Sequence, residues 1–164
     1  MLIGIMADSH DNLPRIEQAV RFFNQRKVDV VLHAGDFIAP FVVNKLKYLS
    51  CNLIGVFGNN DGEKEGLKKR IGEIGEIHSP PFSFTWLSKK ILLVHNFQDL
   101  EEKKINAASF DIVVYGHTHH AKISKEKRSL LINPGECGAW LTGKSTVALL
   151  DLKTMKAWIE EIKI

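Results

Sequence analysis

Residue types that commonly bind metal ions follow several apolar segments of this chain. They occur as Asp-x-His, Gly-Asp, Gly-Asn, a single His and His-x-His, each just after an apolar run. The candidates are Asp8, His10, Asp36, Asn59, His95, His117 and His119, with Asp61 close by. Carboxylate, imidazole and amide oxygen suit Mn²⁺, Fe²⁺, Co²⁺, Ni²⁺ or Zn²⁺ and are poor ligands for Cu(I) or iron–sulfur clusters. The sequence therefore predicts a divalent-metal site.

The number of these candidates exceeds what a single ion needs. Two ions that share one bridging carboxylate would use the whole set. Two ions about 3.5–4 Å apart can stabilise both the attacking and the leaving oxygen in a displacement at phosphorus. The chemistry indicated is hydrolysis of a phosphate ester by a binuclear-metal enzyme.

The spacing within the clusters predicts how the side chains point. Asp8 and His10 lie two residues apart, as do His117 and His119, and side chains at i and i+2 of extended backbone share a direction. We therefore expect each pair to face one pocket. Glycines let the chain turn sharply off a strand and approach an ion closely. Those that precede a cluster are Gly35, Gly58 and Gly116.

The first two thirds of the chain alternate between short β-branched runs and amphipathic stretches, which indicates a βαβαβ order. The predicted strands are Leu2–Met6, Val28–His33 and Leu53–Phe57. The predicted helices are one capped by Asp11 or Asn12 with Pro14 in its first turn, then Ala39–Leu49 and Asp61–Ile74. Ligands of open α/β sheets bind beyond the carboxyl ends of strands, so the candidate residues should converge on one rim.

From Pro80 onward the pattern changes to strands joined by short turns, with one charged helix at Leu100–Ala108. The predicted strands are Phe82–Trp86, Lys90–His95, Ile112–Tyr115 and two hairpins, Ala121–Ser124 with Leu130–Asn133 and Thr146–Leu152 with Met155–Ile162. Alternating helices and strands followed by hairpins predict two packed sheets with helices outside.

Three further histidines are placed outside the metal site. His33 lies within a predicted strand and is expected to form hydrogen bonds in the core. His78 precedes Ser79-Pro80-Pro81 and is predicted to lie in a loop, and His120 is predicted to face solvent.

The same residues carry a resemblance to a known family. Five ordered blocks resemble the motifs of the calcineurin-like metallophosphoesterases, and the chain is most similar to their small bacterial and archaeal phosphodiesterases. The blocks are Asp8-x-His10, Gly35-Asp36, Gly58-Asn59-Asn60-Asp61, His95 and Gly116-His117-Thr118-His119. The resemblance spans essentially the whole chain and extends through Asn133-Pro134-Gly135.

The resemblance implies a fold, a pair of ions and a role for each block. The fold is an α/β four-layer αββα sandwich of two mixed β-sheets flanked by helices. The first ion would be held by Asp8, His10 and His119, the second by Asn59, His95 and His117, with Asp36 bridging. Each subunit would bind two divalent ions, Mn²⁺ ahead of Ni²⁺, Co²⁺, Fe²⁺ or Zn²⁺. A hydroxide shared by the ions would attack phosphorus, and the catalytic positions would be Asp36, Asn59, Asn60 and His117.

Two positions depart from the family pattern. Asn60 stands where many members have a histidine that protonates the leaving group, and Asn96 follows His95 where glycine is usual. Asparagine is no acid at neutral pH, and a positioned general acid commonly contributes about 10²–10⁴ in rate. Good leaving groups should therefore be favoured, which argues for diesters over monoesters.

Composition predicts the broad class. The 164 residues are 45% hydrophobic and 25% charged, typical of one globular domain spanning residues 1–164. The net charge of +3 is spread along the chain, so nucleic acid is not indicated as a partner, and no apolar run is long enough for a membrane span. Cys51 and Cys137 show no disulfide or zinc pattern, which favours a reducing, cytoplasmic setting.

The expected partner is a small-molecule phosphodiester, and exposed edge strands in the C-terminal hairpins favour self-association as a homo-oligomer. Two other functions stay open at this stage. One is a phosphomonoesterase. The other is a non-catalytic interaction scaffold, because a eukaryotic trafficking subunit shares this fold and fold alone does not fix function.

Overall fold

A computed structural model describes residues 1–163, which form two β-sheets with helices on their outer faces. The strands are β1 (Leu2–Met6), β2 (Val30–His33), β3 (Asn52–Val56), β4 (Gly75–His78), β5 (Phe82–Trp86), β6 (Lys89–Leu93), β7 (Ile112–Val114), β8 (Lys122–Glu126), β9 (Ser129–Asn133), β10 (Thr146–Asp151) and β11 (Lys156–Glu161). The α-helices are α1 (Leu13–Arg26), α2 (Val43–Leu46), α3 (Lys64–Ile71) and α4 (Asp99–Glu102).

Both sheets are mixed and have parallel strands at their centres. The first has the order β11-β10-β1-β2-β3-β4, in which β1 to β4 are parallel, β10 is antiparallel to β1, and β11 is antiparallel to β10. The second has the order β5-β6-β7-β9-β8, with β6, β7 and β9 parallel and an antiparallel strand at each edge. This architecture is the predicted pair of sheets, and the predicted C-terminal hairpins form as β8–β9 and β10–β11.

The sheets pack face to face through apolar side chains. Fully buried residues at this interface include Ile3, Ile5 and Leu32 from the first sheet and Ile91, Leu93 and Ile112 from the second. Alternate positions face the helices: Met6 packs there, and a Cβ added at Gly4 would lie 2.7 Å from the Phe23 ring. Strands covered on both faces read as continuous apolar runs, which explains why β1 and β2 were recognisable from sequence.

Helix α1 has the predicted cap and buried face. The Asn12 side chain accepts a hydrogen bond from the Arg15 N–H at 3.4 Å, and Pro14 lies in the first turn. Lys27 ends the helix in the left-handed conformation. The buried residues are Ile16, Ala19, Val20 and Phe23, which match the helical spacing.

Three predicted helices are shorter than expected. Ala39–Leu49 is a 3₁₀ turn, Pro40–Val42, followed by α2, and the Leu100–Ala108 region contains only α4 and a 3₁₀ turn at Ala107–Ser109. The third, predicted from Asp61, begins at Lys64. Asp61 belongs to the preceding loop because its carboxylate accepts hydrogen bonds from the Ile38 and Gly58 N–H groups, both at 2.7 Å.

Strand β4 was missed by the sequence analysis. It begins at Gly75, directly after the predicted Asp61–Ile74 helix, and ends at His78, which was wrongly predicted to lie in a loop. Gly75 pairs so closely with Leu53 of β3 that an added Cβ would overlap the Leu53 backbone. A four-residue strand beginning at glycine carries too little pattern to be recognised.

Cys51 and Cys137 are both free thiols. Burial raises the pKa of Cys137 to about 12, so this thiol is unreactive near neutral pH. Within residues 1–163, no helix has the length and apolar character needed to cross a bilayer.

Candidate metal centre

All seven predicted ligand residues lie in loops that leave the carboxyl ends of parallel strands. Asp8 and His10 follow β1, Asp36 follows β2, Asn59 follows β3, His95 follows β6, and His117 and His119 follow β7. The structure brings these loops together where the two sheets meet. Asp61, near the same rim, joins two loops with both carboxylate oxygens and does not face the cluster.

Asp36 lies at the centre of the cluster. Its side chain is 1% exposed, and its Oδ2 lies 3.4 Å from His10 Nε2 and 3.5 Å from His95 Nε2. One carboxylate oxygen is therefore flanked by imidazole nitrogens from two different loops. This arrangement is the geometry expected of a carboxylate shared by two cations.

On one side of Asp36, three residues could hold an ion. Asp8 Oδ1 lies 4.0 Å from His10 Nε2 and 3.8 Å from His119 Nε2, and one ligand atom from each residue lies within 4.8 Å of the others. His10 Nε2 is buried and has no hydrogen-bond partner among the described residues. A buried polar atom without a partner is costly, and a bound cation would satisfy it. The donor set therefore fits a divalent ion.

On the other side of Asp36, His95 Nε2 lies 2.9 Å from Asn59 Oδ1 and 3.3 Å from His117 Nδ1. His95 Nδ1 lies 2.7 Å from the Ala34 carbonyl oxygen. A carbonyl oxygen only accepts, so Nδ1 carries the proton and Nε2 presents its lone pair to the cluster. Lone pairs from nitrogen and oxygen thus converge on one point, as around a cation.

The backbone at both pairs is left-handed and not extended, so the predicted reason for their alignment was wrong, although Asp8 and His10 do converge on the same side of the cluster. Five of the seven residues have positive φ: Asp8 (50°), His10 (42°), Asp36 (59°), His117 (69°) and His119 (61°). His117 approaches His95, whereas His119 approaches Asp8, so this pair serves opposite sides of the cluster. The direction of these side chains is therefore set by the left-handed backbone conformation of the loops and not by the alternation of side chains along a strand.

The glycines before the clusters allow close packing, as predicted. A Cβ at Gly58 would overlap the Asp36 carboxylate, and one at Gly35 would lie 2.6 Å from His95 Nδ1. At Gly116 a Cβ would lie 2.9 Å from Asp8 Oδ2. Side chains at these positions would therefore displace candidate ligands.

Glu136 was missed by the sequence analysis. This fully buried carboxylate accepts hydrogen bonds from His119 Nδ1 at 3.0 Å, from the Thr142 hydroxyl at 2.7 Å and from three backbone N–H groups. Those N–H groups belong to Trp140, Leu141 and Thr142. Burial alone would raise the pKa of Glu136, but the hydrogen bonds from His119, Thr142 and the backbone lower it to about 2. The ionised carboxylate only accepts, so His119 Nδ1 carries its proton and Nε2 is left to bind an ion.

Asn60 holds the central carboxylate. Its backbone N–H donates to Asp36 Oδ1 at 2.9 Å, and its side-chain Nδ2 donates to Asp36 Oδ2 at 2.7 Å. His33 is buried, as predicted, and bonds to Ser9 Oγ at 3.1 Å, while Ser9 Oγ donates to the Asp36 carbonyl oxygen. The backbone and the side chain of Asp36 are therefore both fixed. His120 is exposed, also as predicted.

The protonation of Asp8 predicts pH-dependent metal binding. Burial, together with the nearby Asp36 carboxylate, raises the pKa of Asp8 to about 8, and burial lowers the pKa of His10 and His95. Without an ion, Asp8 holds a proton below about pH 8, and a cation must displace it. We expect the Mn²⁺ affinity to rise up to about tenfold per pH unit between pH 6 and 8. Calorimetric titration with Mn²⁺ at pH 6, 7 and 8 checks this expectation. An Mn²⁺ affinity that stays the same from pH 6 to pH 8 would contradict it.

Comparison with known proteins identifies the family of this chain. Residues 1–155 match the calcineurin-like phosphoesterase superfamily domain. A Methanocaldococcus jannaschii protein named as a phosphodiesterase is 40% identical over 154 residues, which is 92% of this chain and 93% of that protein.

Two solved structures show the same fold. One, of an archaeal phosphodiesterase, has a TM-score of 0.91 at 37% identity and covers 98% of this chain and 99% of its own. The other, the phosphoesterase YfcE from E. coli, has a TM-score of 0.72 at 19% identity, and the match covers 99% of this chain and 100% of YfcE. The chain belongs to the calcineurin-like phosphoesterase superfamily, in its branch of small metallophosphoesterases.

Proposed function

We propose that this protein is a phosphodiesterase that uses two divalent metal ions and that Mn²⁺ is the favoured metal at both positions. The observation that carries the proposal is Asp36 Oδ2, which lies between His10 Nε2 and His95 Nε2 at 3.4 and 3.5 Å. The similarity to the archaeal phosphodiesterases supports diesters as the substrates.

The residues divide by the ion they would hold. Asp8, His10 and His119 would bind one ion, Asn59, His95 and His117 the other, and Asp36 both. Such ions, when bound, stabilise charge on phosphoryl oxygens and supply a nucleophile from water at neutral pH. The substrate phosphate would lie beside His117, whose side chain is exposed at the rim of the cluster.

The remaining residues orient these ligands. The Ala34 carbonyl and the Glu136 carboxylate fix the rings of His95 and His119 with Nε2 facing the ions. Asn60 holds the Asp36 carboxylate through two hydrogen bonds. Since the Asn60 amide has no proton to give to a departing alkoxide, the enzyme would favour substrates whose leaving groups are stable as anions.

The test combines metal content with turnover. Protein purified without chelator should contain two divalent ions and cleave bis(p-nitrophenyl) phosphate, and His117→Ala should abolish this turnover. Glu76→Gln, an exposed change on β4, is the control and should leave turnover intact. Metal-loaded protein whose turnover equals that of His117→Ala would overturn the proposal and favour the interaction scaffold.

Asn60→His should restore a proton donor to the leaving group. We expect kcat/KM for a diester with a poor leaving group to rise at least about tenfold, while that for p-nitrophenyl esters changes little, because a stable anion needs no acid. The measurement is the ratio of kcat/KM for the two esters. Asn60→Ala controls for the lost hydrogen bond to Asp36, and an equal ratio in Asn60→His and wild type would refute the acid argument.

A further inference from the structure

Two clefts open beside the candidate metal centre. The first has a volume of about 240 Å³, and its lining includes Phe57, Lys64, His95, Asn96, Asp99 and His117. The second has a volume of about 340 Å³, and its lining includes Asn96, Tyr115, His117, Thr118, Lys122, Ser124 and Glu126. Because Asn96 and His117 line both, the clefts adjoin at the second-ion side of the cluster.

We propose that the two clefts hold the two organic groups of a phosphodiester, one on each ester oxygen, with phosphorus beside His117. The inference rests on the proposed phosphodiester hydrolysis and narrows its substrate class. A monoester would fill one cleft only, and so would a diester with one methyl group. Each cleft alone is small or at the lower limit of the roughly 300–1,000 Å³ typical of small-molecule sites, whereas both together fall within it. The substrate therefore carries a sizeable group on each side.

The lining of the first cleft combines a largely apolar surface with two charged side chains. The Lys64 ammonium lies 5.8 Å from the centroid of the Phe57 ring, and Asp99, at the start of α4, contributes a carboxylate. A cation, a carboxylate and an aromatic ring around one space suit a group that bears hydroxyl or amide functions.

The second cleft also combines an ammonium, a carboxylate and an aromatic ring, but its two charged groups come from strand β8. Lys122, Ser124 and Glu126 alternate along β8 and therefore share one face of this edge strand, and Tyr115 lines the same space. Each of the two clefts that adjoin at His117 thus offers one ammonium, one carboxylate and at least one aromatic side chain. Lysines in both clefts also attract a substrate that carries the negative charge of a phosphodiester. Polar, ring-sized groups such as sugars or aryl rings fit both clefts.

The experiment blocks each cleft with a bulky side chain. Lys64→Trp fills the first cleft and Ser124→Trp the second; Lys69→Trp on α3 and Lys125→Trp on the other face of β8 are matched controls at exposed positions. The substrates are bis(p-nitrophenyl) phosphate, methyl p-nitrophenyl phosphate and p-nitrophenyl phosphate, which share one leaving group. Metal content and melting temperature of each variant verify an intact site.

One cleft would hold the leaving group, and the other the ester group that stays on phosphorus. Blocking the cleft of the group that stays should raise KM at least fivefold for bis(p-nitrophenyl) phosphate. KM for methyl p-nitrophenyl phosphate, in which that group is only a methyl, should stay within twofold of wild type. Blocking the cleft of the leaving group should raise KM for both diesters. If a Trp variant fails to fold, Lys64→Phe and Ser124→Phe, which fill the same clefts with a smaller ring, should give the same pattern with a smaller change in KM. Equal kinetics for blocked variants and controls would overturn the inference while the phosphodiesterase stands. No turnover of any ester by wild type would overturn the proposed function itself.

Discussion

Asp36→Asn is expected to remove both metal ions and to lower kcat/KM for bis(p-nitrophenyl) phosphate by at least about 10³-fold. The substitution keeps the size of the side chain and removes its charge. Because Oδ2 lies between His10 Nε2 and His95 Nε2, the change acts on both sides of the cluster at once. Loss of residues that only orient a ligand already costs about 10–100-fold, so loss of a shared ligand should cost more.

Elemental analysis and steady-state kinetics on the same preparation measure this result. Asp61→Asn is the matched control, since Asp61 is also buried in a neighbouring loop but, within residues 1–163, its carboxylate bonds only to the Ile38 and Gly58 N–H groups. The control should melt at a lower temperature and keep its metal. Asp36→Asn protein that still binds two ions and turns over within tenfold of wild type would refute the bridging role.

The sequence predicted the parts of this site whose signals are local. Apolar runs buried on both faces marked β1, β2 and β7, and ligand types directly after them marked the loops. Parallel strands deliver the loops that follow their carboxyl ends to the same rim, so convergence could be inferred without coordinates. The convergence of the candidate ligand residues was therefore predictable for the set as a whole.

The direction of the side chains was not predictable in this way. His117 and His119 adopt positive φ and point to opposite sides of Asp36, which strand alternation does not foresee. A non-glycine residue in this conformation costs roughly 1 kcal/mol or more, and only the packed surroundings impose it. Five such residues in one cluster show that the two sheets hold the loops against their local preference.

Glu136 was unpredictable for a related reason. It lies 17 residues beyond His119 and has no metal-ligand spacing, although it directly follows the Asn133-Pro134-Gly135 block. An isolated glutamate in a single sequence is normally an exposed residue. Only its burial, with five donors around it, reveals that it orients a candidate ligand.

Glu136→Gln is therefore expected to weaken binding of the first ion by about 10–100-fold while the second ion stays bound. The new side-chain amide has two possible orientations, and in each its NH₂ group faces a hydrogen-bond donor. In the first orientation it faces the Leu141 and Thr142 N–H groups, and in the second it faces His119 Nδ1. In the second case Nδ1 must accept, the proton moves to Nε2, and that nitrogen no longer has a lone pair for the ion. In that orientation the substitution changes the tautomer of His119 without altering a ligand, and in the other orientation it replaces the charged acceptor of His119 Nδ1 with a neutral one.

Calorimetric titration with Mn²⁺ should resolve two classes of site in wild type and a loss of affinity in one class in the variant. Thr142→Val is the matched control, because it removes one donor to Glu136 and leaves the contact between Glu136 and His119. It should lower the melting temperature and leave the Mn²⁺ affinity close to that of wild type. The loss should be constant between pH 5 and 8, because Glu136, with a pKa of about 2, stays ionised throughout. A titration of Glu136→Gln identical to that of wild type would show that His119 needs no partner to present Nε2.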